Sequence, residues 1–229
     1  VNIPILYEDN HLLVVEKPVN IPVQEDNTRD KDLLTMLKED IKIRYQKPGN
    51  VYLALVHRLD RPVGGVMVFA KTSKAASRLS DVIRRNALEK RYLAVVRGNP
   101  SNSHGVLKDF LLKDRRENKV HVVSSKTTGA KKAVLDFEVI GTNTGLGLLA
   151  INLHTGRSHQ IRIQLANIGC PIFGDQKYGY KVNKPGQQIA LWSRSLAFEH
   201  PTKKEITKCE TLPSDAYPWH LWPKFCNRS

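Results

Sequence analysis

The sequence predicts an α+β fold, a mostly antiparallel mixed sheet with flanking helices. Three observations predict it. Short β-rich runs bounded by turn residues recur along the chain, and only three or four stretches carry helical spacing. Several of the β-rich runs also alternate apolar with polar residues, the pattern of strands with one buried face, which antiparallel sheets permit. With 229 residues, 41% of them hydrophobic, the chain is long enough to bury a core and too apolar to be disordered.

Residues 3–7 and 11–16 read as two strands around the turn Glu8-Asp9-Asn10, the second closed by Lys17-Pro18. Residues 18–30 hold two prolines and no periodicity and read as loop. Leu34, Leu37, Ile41 and Tyr45 then recur every three or four positions, predicting a helix from Asp30 to about Tyr45 that Lys47-Pro48-Gly49 ends. A strand over 51–56 leads into His57-Arg58-Leu59-Asp60-Arg61-Pro62-Val63-Gly64-Gly65, and an apolar strand over 65–70 follows. Thr72 or Ser73 offers an N-cap to a helix whose stripe is Ala76, Leu79, Val82 and Ile83.

The next strand is 91–96, and 106–123 reads as a hairpin with a polar tip at 114–118. Leu135, Phe137 and Val139 should face inward on one strand, with Leu149, Ile151 and Leu153 inward on the return after a turn at 142–145. The run from His154 to Arg162 should open a helix ending near Gly169, with Ile161, Leu165 and Ile168 buried. Gly174-Asp175-Gln176-Lys177-Tyr178-Gly179 reads as a loop whose glycines turn the chain, and Trp219, Trp222 and Phe225 are assigned to packing. With no repeat, low-complexity tract or linker, residues 1–229 form a single catalytic-size domain of at most two lobes.

Lys and Arg number 36 against 22 Asp and Glu, a formal charge of +14 that points to a polyanionic partner, nucleic acid first. No run approaches the ~18 apolar residues of a membrane span. Cys170, Cys209 and Cys226 are scattered without a C-x-x-C spacing, which suggests a reducing compartment and no structural metal. The first residues include Pro4, Glu8 and Asp9 and show no secretory signal, so cytoplasm is the default location.

Two clusters carry candidate chemistry. Asp60 lies between Arg58 and Arg61 beside a proline-glycine bend, where guanidinium groups would favour a carboxylate anion. That suits a nucleophile or a structural ion pair, and spacing does not choose between them. Arg157, His159 and Arg162 fall at the start of the predicted helix, where the macrodipole disfavours each positive charge by ~0.3–1 kcal/mol. An anion should offset them, with phosphate and Asp60 the two candidates. Arg84, Arg85, Lys90 and Arg91 gather near the end of the preceding helix, which the dipole favours without any ligand.

Taken together these runs resemble the RluA-type pseudouridine synthase family over nearly the whole chain. The resemblance rests on Ile5-Leu6-Tyr7-Glu8-Asp9, Val14-Val15-Glu16-Lys17-Pro18, His57-Arg58-Leu59-Asp60, Lys90-Arg91-Tyr92-Leu93-Ala94-Val95, Thr155-Gly156-Arg157-Ser158-His159-Gln160-Ile161-Arg162, Gly174-Asp175 and Tyr178-Gly179, in that order. It implies the pseudouridine synthase catalytic fold, with Asp60 as catalytic aspartate, Tyr92 as the tyrosine against the target base, and Arg162 as the basic partner of Asp60. Arg58 is the motif arginine that replaces or supports a flipped nucleotide, and Arg61, Arg157 and His159 complete the expected RNA-binding set. Relatives often carry Thr-Ser-Gly just after the aspartate, where this chain has Val63-Gly64-Gly65, which alters the local hydrogen bonding. The family pattern starts almost at residue 1, so a separate N-terminal RNA-binding domain is not expected here.

The implied reaction detaches uracil from its ribose, turns it and rejoins it through carbon. Substrate and product are isomers, so no cofactor, metal or second substrate is implied. The implied partner is structured RNA, ribosomal or transfer, with monomer the default state and no membrane. Two other classes share some of these features: a catalytically silent RNA-binding protein of the same fold, and a carboxylate-based glycosyl hydrolase, which would release free base.

Overall fold

A computed structural model describes residues 2–226 of the chain. In order, the strands and helices are β1 (Ile5–Glu8), β2 (Leu12–Lys17), α1 (Leu33–Arg44), β3 (Ala54–Leu55), β4 (Gly64–Ala70) and α2 (Ser73–Arg84). These are followed by β5 (Glu89–Arg97), β6 (His104–Asp114), β7 (Lys119–Val123), β8 (Lys131–Asn143), β9 (Leu146–Leu153) and α3 (Gln160–Asn167). The last are β10 (Leu191–Glu199), β11 (Ile206–Glu210), a 3-10 turn at Trp219–Leu221 and α4 (Pro223–Cys226). Every strand pair with a described register is antiparallel, as the alternation predicted.

The chain divides into two compact units: one runs through Glu89 and takes in Ser193–Thr211, the other comprises Lys90–Trp192 and the segment from Leu212. In the first, β1, β2, β4 and β10 are successive neighbours, with β11 on β10 and β3 on β4. α2 starts at the N-cap Thr72, whose hydroxyl accepts from the Ala75 amide, and lays Ala75, Leu79 and Val82 on Leu12, Val14, Val66, Val68, Leu196 and Phe198. Burying a side chain such as Leu79 contributes roughly 1.5–3 kcal/mol. α1 is likewise capped, by Asp32, and buries Leu33, Leu37 and Ile41.

In the second unit β5, β9, β8, β6 and β7 follow one another across the sheet. Trp192, Trp219 and Trp222 pack with Leu93, Val95, Leu148 and Phe173, so two of the three C-terminal aromatics do serve the core. Phe225 is the exception, 39% exposed.

Four expectations need correction. The strand expected over 51–56 shrinks to Ala54–Leu55, since β4 offers it only Ala70 and Phe69, and Tyr52 is exposed. Val139 is only partly buried because the β8–β9 register shifts between Val139 and Gly141. The helix expected from His154 begins at Gln160, whose side chain holds the preceding turn together: its Oε1 accepts from the Thr155 hydroxyl at 2.7 Å and the Arg157 amide at 3.1 Å. Ile168 is exposed instead of buried, because α3 stops at Asn167 and Gly169, at φ +79°, turns the chain away. Cys170 and Cys209 are buried free thiols, and the side chain of Cys226 lies outside the described residues.

Candidate active site

Asp60, Arg58 and Arg61 belong to the first unit; Tyr92, Arg157, His159 and Arg162 belong to the second. Asp60 is half-buried in the loop between β3 and β4. A tight turn carries it, closed by the Val63 amide donating to the Asp60 carbonyl at 2.9 Å. The support beneath that turn is Lys17. Its side chain is fully buried, and its Nζ donates to the carbonyls of Pro18 (2.9 Å), Arg61 (2.9 Å) and Val63 (2.8 Å).

Three acceptors match the three N–H bonds of an ammonium, one more than a neutral amine donates. Burial opposes that charge and pushes the Lys17 amine down to about 7; the nearby Asp60 carboxylate works in the other direction, and Arg61 adds to the lowering. The sequence suggested only that Lys17-Pro18 closes a strand. In fact Lys17 pairs in register with Gly65, which puts its amine under the end of the Asp60 loop.

Gly65 is required by close approach. Its φ is +116°, and a Cβ there would lie 2.2 Å from the Ser193 carbonyl oxygen. Ser193 on β10 donates its hydroxyl to the Val66 carbonyl at 3.0 Å, locking β4 where the loop ends. His57 accepts from the Val68 amide at 3.0 Å through Nε2, which places a proton on Nδ1 and gives this histidine a structural duty.

The two flanking arginines differ in their surroundings. Arg61 points toward the 18–30 loop, where it donates to the Asn20 carbonyl (3.1 Å) and Thr28 Oγ1 (2.9 Å) and pairs with Asp26 and Asp30. It is thus an anchor for that loop, because adjacent residues in a tight turn project in different directions. Arg58 is exposed.

In the second unit Tyr92 sits in β5 opposite Ile151, its side chain buried. Arg162 is buried on α3 and forms a two-bond ion pair with Asp175: Nε donates to Oδ2 and Nη2 to Oδ1, both at 2.8 Å. Asp175 was not among the anions that the sequence offered for Arg162; composition read 174–179 as a turn, and only the resemblance marked Gly174-Asp175. The signal available was a carboxylate next to Gly174, where a Cβ would lie 2.2 Å from the Gln188 carbonyl oxygen. Asp175 Oδ1 also accepts from the Lys177 amide at 2.9 Å, so the guanidinium plane is fixed by a rigid loop.

Tyr178 extends this cluster. The Arg162 guanidinium lies 5.3 Å from the centre of its ring. Its hydroxyl accepts from the Val120 amide at 2.8 Å, leaving its proton for His159 Nδ1 at 2.7 Å. His159 is the N-cap of α3 in a left-handed conformation, φ +51°. His159 and Arg162 are therefore brought to one aromatic ring. Arg157 stays exposed on the turn before the helix, its Nε on the Lys132 carbonyl at 3.0 Å.

Comparison with known proteins places these features in a family. Residues 11–167 match the family model described as RNA pseudouridylate synthase. A protein named ribosomal large subunit pseudouridine synthase C from Buchnera aphidicola is 34% identical over 209 residues, covering 88% of this chain and 64% of the relative. This chain thus spans about two thirds of that protein's length. A Bacillus subtilis protein named as an uncharacterized RNA pseudouridine synthase is 33% identical over 215 residues, covering 92% of this chain and 69% of the relative. Among solved structures, human RNA pseudouridylate synthase domain containing 4 shares the fold with a TM-score of 0.75 at 24% identity, over 91% of this chain and 87% of that one. The matched span contains the Asp60 turn with its Lys17 clamp, Tyr92 and the Arg162 helix, and the chain belongs to the RNA pseudouridylate synthase family, of the RluA type.

Proposed function

We propose that this chain isomerises uridine in structured RNA to pseudouridine, with Asp60 as the catalytic carboxylate. The N1–C1′ bond of the nucleotide breaks, a C5–C1′ bond forms, C5 gives up its proton and N1 ends with one. Asp60 acts as nucleophile or base on the nucleoside, Tyr92 holds the turning base against its ring, and Arg162, aimed by Asp175, steadies the negative carboxylate. Arg58, Arg157 and His159 serve the RNA directly and Arg61 through the 18–30 loop that it anchors, and the RNA must flip its uridine outward at a cost of a few kcal/mol. One observation carries the reading: the family match spans the His57–Asp60 motif, and that motif forms a turn pinned from below by a buried amine. Ribosomal and transfer RNA are both candidate substrates, and the printed name of the Buchnera relative makes large-subunit ribosomal RNA the first to assay. The reading includes a monomer acting in the cytoplasm.

The test is tritium release from RNA labelled at uridine C5. Wild type should release tritium without freeing uracil, and Asp60→Asn should release none; free uracil, or full activity in the variant, overturns the assignment. Arg162→Gln should lower turnover far more than RNA affinity, and equal loss of both would remove its proposed role. Unchanged turnover in Tyr92→Phe would confine that residue to ring contact.

A further inference from the structure

A basic cavity in the second unit includes Arg157, which the proposal above uses, and three further cations to which it gives no work. About 400 Å³ in volume, it opens between the β6–β7 hairpin, the residues leading into β8 and the turn before α3. Lys113, Arg115, Lys131 and Arg157 line it, with Gly129 and Gly156 at its rim, and no carboxylate is among its described lining residues. At the hairpin tip Asp114 accepts from the Arg116 and Glu117 amides, at 2.7 and 3.2 Å. The ion pairs described in this unit, His154–Asp136 and Arg162–Asp175, engage none of the four cations.

A fifth cation sharpens the imbalance. A Cβ on Gly156 would lie 3.3 Å from Lys90 Nζ, and the Lys90 amine is pushed below its usual value by burial and by Arg157. Positive charge has been gathered here from four separate segments, with no carboxylate among the described lining residues to balance it. Apart from the cations, which bind phosphates regardless of sequence, Ser158 is the one polar side chain among the described lining residues, and no amide or carboxylate is there to read adenine or cytosine. That combination suits a phosphodiester chain of any sequence.

We propose that this cavity docks the RNA backbone, with Lys113, Arg115 and Lys131 gripping phosphates beyond those near the target nucleotide. The inference rests on the RNA reading above and adds a docking surface that the family motifs do not contain. Because Lys113, Arg115 and Lys131 are exposed, replacing them together by Gln spares the core.

The experiment is fluorescence anisotropy with labelled oligouridylate and, separately, oligoadenylate over a KCl series. Wild type is compared with Lys113→Gln/Arg115→Gln/Lys131→Gln. The charge-matched control is Lys42→Gln/Lys47→Gln/Lys74→Gln, three exposed lysines of the first unit. Losing three phosphate contacts to single strands should flatten the slope of log affinity against log salt by about two. A fourfold rise in KCl then weakens wild type roughly twenty-fold more than the cavity variant. Both oligonucleotides should show this, and the control should keep the wild-type slope.

The proposal is overturned if the cavity variant keeps the wild-type slope, if the control loses as much, or if only one oligonucleotide is affected. Binding needs no turnover, so failure of the isomerase reading shows separately, as absent tritium release from wild type with the slopes as expected.

Discussion

Lys17→Met tests the clamp beneath Asp60. In the folded chain the Lys17 amine gives up its proton near 7, whereas unfolded it holds that proton to its usual 10.5. Between those values the unfolded state binds more protons, so stability rises with pH, by up to about 1.4 kcal/mol per pH unit and about 4–5 kcal/mol over the whole window. Met carries no proton and loses this rise. It also leaves the Pro18, Arg61 and Val63 carbonyls without their donor, which costs ~1–3 kcal/mol for each that stays buried.

The expected result is therefore a variant less stable than wild type by ~3 kcal/mol or more at pH 7, with a gap that widens toward pH 10. Urea unfolding followed by circular dichroism at both pH values measures it. A gap that stays constant would show that the buried ammonium is as well accommodated as one in water. Equal stability at pH 7 would show that the three carbonyls find other donors. Folded variant protein should lose turnover more than RNA affinity, since the clamp positions the turn and touches no RNA in this reading.

Asp175→Asn keeps the shape of the buried pair but removes the charge that meets Arg162 there; removing one partner of such a pair costs ~3–5 kcal/mol, read as a lower urea midpoint. A loss under ~1 kcal/mol would mean that the Arg162 charge does not depend on Asp175. Gly65→Ala should be far more disruptive than Gly98→Ala. The first drives a Cβ into the Ser193 backbone at 2.2 Å, while the second has φ +76° but nothing within 4 Å, so it bears only backbone strain of ~1–2 kcal/mol. Similar unfolding midpoints for the two would refute the argument from close approach.

The elements were legible where a local pattern was enough. A cap at Thr72 or Ser73 is legible because a hydroxyl before an apolar stripe is a one-turn signal, and Thr72 is the one used; Leu135, Phe137 and Ile151 face inward because their face is set by period two. The Asp60 motif was legible for another reason, its match in order and spacing to a family. Partners were not legible. Arg61 stands next to Asp60 in sequence but bonds to residues from 20 to 30, a stretch with no periodicity to mark it as structured. Asp175 lies in a loop that composition describes only as a turn, and Lys17 carries nothing in its own neighbourhood that announces a buried amine. Each is decided by where distant carbonyls, carboxylates and guanidinium groups converge, which depends on tertiary register.

That distinction bears on the departure at Val63-Gly64. Where relatives often have hydroxyls, this chain has a side chain that is 2% exposed and a glycine. If the loop were held by its side chains, losing two hydroxyls would loosen it. Here the hold is on the backbone: the Val63 amide closes the turn on Asp60, and the Val63 and Arg61 carbonyls are bound by one amine that reaches across from β2. Backbone groups are present whatever residue occupies position 63, so Val63 can serve packing while its peptide serves the turn. The three bonds of Lys17 all go to carbonyl oxygens, so the clamp fixes the turn without using an oxygen of the Asp60 carboxylate. In the proposed reaction a carboxylate on a turn held in this way would meet its substrate with little reorganisation, the condition under which a fixed charge is most effective in catalysis.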